Sequence, residues 1–259
     1  MKLYIDCTNG VSSDMILAAL PDLGVDEEEC KRGIAGLGLG HGCKHEHEHR
    51  HKGRHRQNAV HEKNQPHTHS RSYKEIKELI RSSALSDNVK AVALRTYEAI
   101  AVAEAEVHGE TLETVHFHEV GRDRAIENIV GVAIALDFLN PSAVYCSSIH
   151  DGHGTILCSH GEIPVPVPAV AAMMKRCNFI FVTDDVETEM VTPTGLALLI
   201  GMGAVPVDSG EVRGLSEPGK SNGLSEPGEI GEVQRIGVGR GTRDIGRDGL
   251  KIHMIEKRL

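Results

Sequence analysis

From Gly38 to Ser70 the sequence carries almost no apolar side chain and runs, over part of that stretch, H-G-C-K-H-E-H-E-H-R-H-K-G-R-H-R. Such a segment cannot bury enough surface to offset the entropy of ordering it, so a disordered His-rich loop is expected at 38–70. Nine of the chain's 16 histidines fall between His41 and His69. Near neutral pH many of these imidazoles are unprotonated, and imidazole is a good ligand for nickel, zinc and copper. The alternation His45, His47, His49, His51 puts side chains within reach of one ion in many conformations, which suits storage-type binding better than one rigid site. A solvated linker with no chemistry is the other reading, and neither makes this loop a catalytic centre.

The remainder has the means to fold. The 259 residues suit one large or two modest domains, and 40% are hydrophobic. With no Trp, four Phe and four Tyr, the core is aliphatic. A net charge of −9 argues against wholesale nucleic-acid binding, which depends on neutralising phosphates with cations. No apolar run approaches the ~20 residues that span a bilayer. The opening MKLYIDCTNG turns polar too early for a signal peptide, so a cytoplasmic protein is expected. The six cysteines form no C-x-x-C pair and read as free thiols.

Periodicity predicts an α/β (or α+β) fold with a mixed sheet and several long helices. A strand at Lys2–Cys7 leads through the small-residue turn Thr8–Ser13 into a helix at Asp14–Leu20. Short helix Glu27–Leu37 follows. Tyr73–His108 is helical with a break at Ser83–Ser86 and a terminating Gly109. A second long helix spans Ala125–Leu139, and Ala143–Ile149 reads as a strand. Gly152, Gly154 and Gly161 with His150, His153 and His160 read as a flexible polar stretch. Ile163-Pro164-Val165-Pro166-Val167-Pro168 lacks the N–H donors of a central strand and should be an extended connector into helix Ala169–Lys175. Phe179–Val182 is a strand, Glu189–Gly195 a turn before helix Leu196–Gly201, and Val233–Val238 and Leu250–Ile255 are closing strands. The hexapeptide GLSEPG at Gly214–Gly219 recurs at Gly223–Gly228, a tandem copy within a surface loop at 209–232.

Three places gather polar side chains that an aliphatic core does not need. Asp6, Cys7 and Asp14 flank the opening turn, where backbone N–H groups and a helix N-terminus suit an anion such as phosphate. Such carboxylates hold a divalent ion or, more commonly, cap the helix; Cys7 is a buried small residue or a soft metal ligand. In His116-x-His118-Glu119, residues two apart on a strand share a face, so both imidazoles could meet one metal ion or pack as a structural pair. His160-Gly161, before the proline run, is a candidate ligand or acid–base group. No G-x-S-x-G, G-x-x-x-x-G-K-[ST] or H-E-x-x-H is present.

Taken together, the motifs resemble those of the LarC family, the nickel-insertion proteins of nickel-pincer cofactor biosynthesis. The resemblance includes D-C-x-x-G-x-x-x-D-M (Asp6 to Met15), the His-rich loop, A-E-A-E-V-H-G (Ala103 to Gly109) and V-H-F-H-E-V-G (Val115 to Gly121). It continues in I-V-G-x-A-I-A-L-D (Ile129 to Asp137), H-G-x-x-P-V-P-x-P-A (His160 to Ala169), T-P-T-G (Thr192 to Gly195) and G-x-G-T-R-D (Gly239 to Asp244). It implies a cyclometallase, a nickel chelatase of the lyase class. Such a protein inserts nickel into a pyridinium mononucleotide with two thio-acid arms, forming nickel–sulfur and nickel–carbon bonds for lactate racemase and related enzymes. It also implies use of CTP with manganese or magnesium on a C-terminal domain that is expected to be absent here and supplied by a separate partner polypeptide. On this resemblance Asp6, Cys7, Asp14 and Glu119 are catalytic candidates and His116, His118 and His160 metal ligands, with His45, His47, His49 and His51 as further nickel donors. Gly10, Ser12, Ser13, Thr192 and Thr194 are cofactor-binding candidates, and a homo-oligomer is compatible with the pattern. The alternatives are a non-catalytic nickel-binding or metallochaperone protein and a degenerate structural homologue. Three positions depart from the family pattern. Ser13 stands where glycine is usual, and Arg124 and Asn128 stand where aspartates are usual, which bears on activity more than on fold.

Overall fold

A computed structural model describes residues 1–39, 71–158, 161–207, 232–242 and 245–256. The His-rich segment with His45, His47, His49 and His51, the residue His160 and the GLSEPG repeat lie outside the described residues. Strand β1 (Lys2–Asp6) buries Leu3, Tyr4 and Ile5 at its centre. It pairs in parallel with β2 (Val144–Cys146) and antiparallel with β9 (Leu250–Glu256). β8 (Glu232–Gly239) runs antiparallel outside β9, and β7 (Val205–Pro206) lies parallel beyond β2. The sheet order is therefore β7-β2-β1-β9-β8, mixed as the pattern predicts. β7 escaped the sequence reading; its Pro206 is tolerated because an edge strand can lack a donor.

The helices cover this sheet. α1 (Ser13–Ala19) is capped by Ser12, and α2 (Glu27–Ala35) by Asp26. α3 (Tyr73–Ser82) opens on a reciprocal capping box between Ser72 and Glu75. α4 (Asp87–His108) begins at the Ser86 cap and ends at Gly109, whose φ of +66° is the left-handed conformation glycine allows. α5 (Asp123–Leu139), α6 (Pro168–Met174) and α7 (Pro193–Gly201) complete the set. α4 packs against α3, α5, α6 and α7, and its Ala93, Tyr97, Ile100 and Ala101 are fully buried. The approach to α7 is close: a Cβ on Gly201 would collide with the Thr96 hydroxyl. Phe117 fills the space between Tyr73 and Tyr97, with ring centroids 6.3 and 6.0 Å away. No helix among the described residues is long and apolar enough to cross a membrane.

Two segments differ from the sequence expectation. The single strand expected at Ala143–Ile149 is broken at Ser147, whose Oγ accepts the Cys7 N–H at 2.8 Å. The chain then leaves the main sheet as β3 (Ile149–Asp151) and pairs in parallel with β6 (Phe181–Thr183). The glycine-rich stretch expected to be flexible forms instead a two-stranded antiparallel ribbon, β4 (Thr155–Cys158) with β5 (Gly161–Pro164). Ile156 and Ile163 pack against the core from that ribbon, giving it an apolar anchor. The proline run stays out of the central sheet.

Candidate functional site

A cavity of about 380 Å³ opens beyond the carboxyl end of β1, the place where α/β sheets usually receive ligands. Asn9, Ser12 and Asp14 come to it from the opening loop and α1, Glu189 and Thr192 from the segment before α7, and Arg240 and Arg247 from the turn between β8 and β9. The first two walls are stitched by backbone. Val11 N–H donates to the Met190 carbonyl and Thr192 N–H to the Val11 carbonyl, each at 3.0 Å. Gly10 sits at that seam with φ +83°, and a Cβ there would overlap the Met190 carbonyl oxygen. Asp151 anchors the same segment: its Oδ1 accepts N–H groups of Gly152, Met190 and Val191 at 2.9, 2.8 and 3.0 Å. Burial raises the Asp151 pKa, against those three N–H donors, which lower it. The third wall is tied in by Asn9, whose amide donates to the Gly249 carbonyl at 2.9 Å.

Two of the three departures from the family pattern, Arg124 and Asn128, meet at one carboxylate, and the third, Ser13, is bonded to Asn128. Arg124 Nη2 donates to Asp14 Oδ1 at 2.7 Å, and Asn128 Nδ2 lies 3.2 Å from the same oxygen. Asn128 also donates to Ser13 Oγ at 3.2 Å, and the Thr194 hydroxyl donates to that oxygen at 3.1 Å. Three helix N-termini, of α1, α5 and α7, are thereby cross-linked beside the cavity. Asp14 Oδ1 is thus engaged by both a cation and an amide.

A second network lies behind Arg247. Its Nη1 donates to Asp184 Oδ2 at 2.5 Å and to the Thr8 carbonyl at 3.4 Å. Asp184 Oδ1 is 2.9 Å from His150 Nδ1, and His150 Nε2 is 3.2 Å from Ser148 Oγ. Burial would raise the Asp184 carboxyl, but the hydrogen bonds from His150 and Arg247 outweigh it and hold it below the usual carboxylate range. His150 is fixed through its backbone too, its N–H donating to the Cys7 carbonyl at 3.1 Å. Serine, imidazole and carboxylate thus stand in a hydrogen-bonded row. Sequence reading missed it, because Ser148-x-His150 shows only a two-residue strand spacing and Asp184 lies on a different segment.

The sequence-predicted residues divide accordingly. Ser12, Asp14 and Thr192 line the cavity. Ser12 and Thr192 also cap α1 and α7, and Ser13 and Thr194 bond to each other beside them. Asp6 turns its carboxylate onto the N–H and hydroxyl of Thr8, at 3.0 and 2.7 Å. Cys7 is completely buried, and burial pushes its thiol well above the usual range, so at neutral pH it packs as a thiol. His116 and His118 do share an exposed side of their segment, between buried Val115 and Phe117, as the two-residue spacing predicts. They do not line the cavity, nor does Glu119. His116 Nδ1 faces the Thr114 carbonyl at 2.6 Å, and the His118 ring lies 6.0 Å from that of His108. Among the described residues, no three His, Cys, Asp or Glu side chains converge to hold a metal ion.

Comparison with known proteins adds the chemical context. The family profile described as nickel insertion protein matches residues 3–215. A protein of Acetivibrio thermocellus named pyridinium-3,5-bisthiocarboxylic acid mononucleotide nickel insertion protein is 43% identical over 76% of this chain and 50% of its own length. One of the same name from Akkermansia muciniphila is 39% identical over 80% of this chain and 52% of its length. Another from Alkaliphilus metalliredigens is 31% identical over 98% of this chain and 60% of its length. The chain thus spans about half the length of these curated relatives. No solved structure matches it.

Proposed function

The chain belongs to the nickel-insertion protein family, and from that premise we propose that it is the substrate-holding part of a nickel insertase acting on pyridinium-3,5-bisthiocarboxylic acid mononucleotide. The observation that carries the reading is the cavity at the carboxyl end of β1, about 380 Å³ in volume and flanked by Arg240 and Arg247. A mononucleotide with two thio-acid arms is a polyanion, and guanidinium groups with hydroxyl donors such as Ser12 and Thr192 are suited to hold phosphate and carboxylate-like groups. Nickel is the cargo, and the soft sulfur arms of the substrate themselves supply ligands for it. The protein's task is then to orient the ring and exclude competing chemistry, which fits a cavity where no three His, Cys, Asp or Glu side chains among the described residues converge.

In this reading CTP and its divalent ion are handled by a nucleotide-binding partner polypeptide. The reaction class is a cyclometallating lyase, and its product serves lactate racemase maturation. The test combines the chain, a CTP-binding partner, CTP, manganese or magnesium, nickel and the bis-thio mononucleotide. Nickel bound covalently to the ring is the expected product, and its absence with an active partner refutes the reading.

A further inference from the structure

We propose that His150 is the base that takes the ring proton when nickel bonds carbon, with Asp184 and Arg247 as positioning residues; the proposal rests on the nickel-insertion reading above. Nickel(II) held by sulfurs on arms at ring positions 3 and 5 is carried to the carbon between them, which bears a hydrogen. There the C–H bond breaks, its electron pair becomes the nickel–carbon bond, and the proton leaves. Nothing is oxidised or reduced, so the step needs a proton acceptor and no further reagent.

The hydrogen-bonded row fixes which nitrogen can accept. A carboxylate only accepts hydrogen bonds, so the 2.9 Å contact to Asp184 places the imidazole hydrogen on Nδ1. Nε2 is left with its lone pair, facing the Ser148 hydroxyl at 3.2 Å. An imidazole in this tautomer, backed by a carboxylate, is the arrangement that stabilises the cation formed on taking up a proton. The row touches the substrate cavity through Arg247, which lines the cavity while its guanidinium bonds Asp184 and the Thr8 carbonyl. The His150 side chain is 20% exposed, with the Ser148 hydroxyl over Nε2 and Arg247 between the row and the cavity. The competing carboxylates are placed differently: Asp14 is held by Arg124 and Asn128, and Asp6 by Thr8. Glu189 lines the cavity and is the rival to be tested.

The experiment follows nickel–carbon bond formation by the full chain with its nucleotide-binding partner, CTP, nickel and the bis-thio mononucleotide. The fate of the ring hydrogen is read by NMR. His150→Ala is expected to slow the step about 10²- to 10⁴-fold, the range of a lost general base, with added imidazole restoring part of the rate. Mononucleotide binding by equilibrium dialysis and the melting temperature should stay as in the unsubstituted protein. Asp184→Asn should give a smaller loss. His150→Gln, which keeps an amide near Asp184, replaces the alanine variant if that does not fold, and is read the same way without the rescue. An unchanged rate in the folded His150 variant overturns the proposal, as does a loss in His150→Ala that imidazole leaves untouched. A loss in Ser148→Ala or Glu189→Gln as deep as that in the His150 variant also overturns it, because the hydroxyl or the carboxylate would then be the reacting group. No product from the unsubstituted protein with an active partner is a separate outcome, and refutes nickel insertion itself.

Discussion

Gly10 and Gly154 have nearly the same backbone conformation, φ +83° and +85°, but opposite surroundings. A Cβ at Gly10 would overlap the Met190 carbonyl oxygen and lie 2.8 Å from its carbon, whereas at Gly154 nothing stands within 4 Å. Alanine at either position meets the left-handed penalty of about 1–2 kcal/mol, offset by about 0.4–1 kcal/mol of lost freedom in the unfolded chain. These contributions cancel in the comparison. What remains for Gly10→Ala is the displaced seam, with the Val11–Met190 and Val11–Thr192 hydrogen bonds strained or broken. At about 0.5–1.5 kcal/mol for each bond, Gly10→Ala should be less stable than Gly154→Ala by about 1–3 kcal/mol. Urea unfolding followed by far-UV circular dichroism measures the difference, and weaker mononucleotide binding should accompany it, since the seam joins two walls of the cavity. Equal stability of the two variants, within about 0.5 kcal/mol, would refute the claim that close backbone approach requires glycine at position 10.

Thr192→Ala removes the α7 cap bond to the Gly195 N–H, 3.2 Å long, and should cost about 1 kcal/mol in thermal unfolding; an unchanged melting temperature would show the cap to be idle. Phe117→Ala empties the space between Tyr73 and Tyr97 and should cost about 3–5 kcal/mol in urea titration, a loss under 1 kcal/mol contradicting the packing described. His253 is buried on β9 beside Tyr4, and burial, helped by Lys251 and opposed by Asp6, lowers its pKa below the ordinary value of 6.5. The unfolded chain therefore binds this proton first as pH falls, and stability should decline from about pH 6.5 toward the lowered folded value. His253→Gln should flatten that decline in urea midpoints taken from pH 7.5 to 5, and parallel curves for the two proteins would dismiss the assignment.

Much of the helical layer was legible because its signals are local. Ser72 with Glu75, Ser86 and Gly109 mark helix ends through bonds made within one turn of chain. The opening strand, turn and helix could be read for the same reason, and the candidates Ser12, Asp14 and Thr192, drawn from that loop and a short motif, lie on the cavity. The cavity as a whole was not legible, since its walls come from residues near 10, 190 and 245, joined by backbone bonds and by single side-chain bonds such as Asn9 to Gly249, across separations that local spacing does not reveal. Apolar alternation ran through Ser147, so the break between β2 and β3 was invisible until Cys7 supplied the N–H that Ser147 Oγ accepts. His150 lost its meaning in one dimension for a related cause: its carboxylate partner is Asp184 and its tether to the cavity Arg247. The His116-x-His118 spacing did predict a shared side, but spacing alone could not tell which other elements would lie opposite those rings.

Strand β1 lies between β2 and β9, partners that come from residues 144–146 and 250–256. During synthesis β1 must therefore wait for residues 250–256 before its second edge is paired. Long-range pairing of this kind slows folding and leaves intermediates prone to self-association, so assembly of the binding cavity should be a late event and one that benefits from chaperones in the cell.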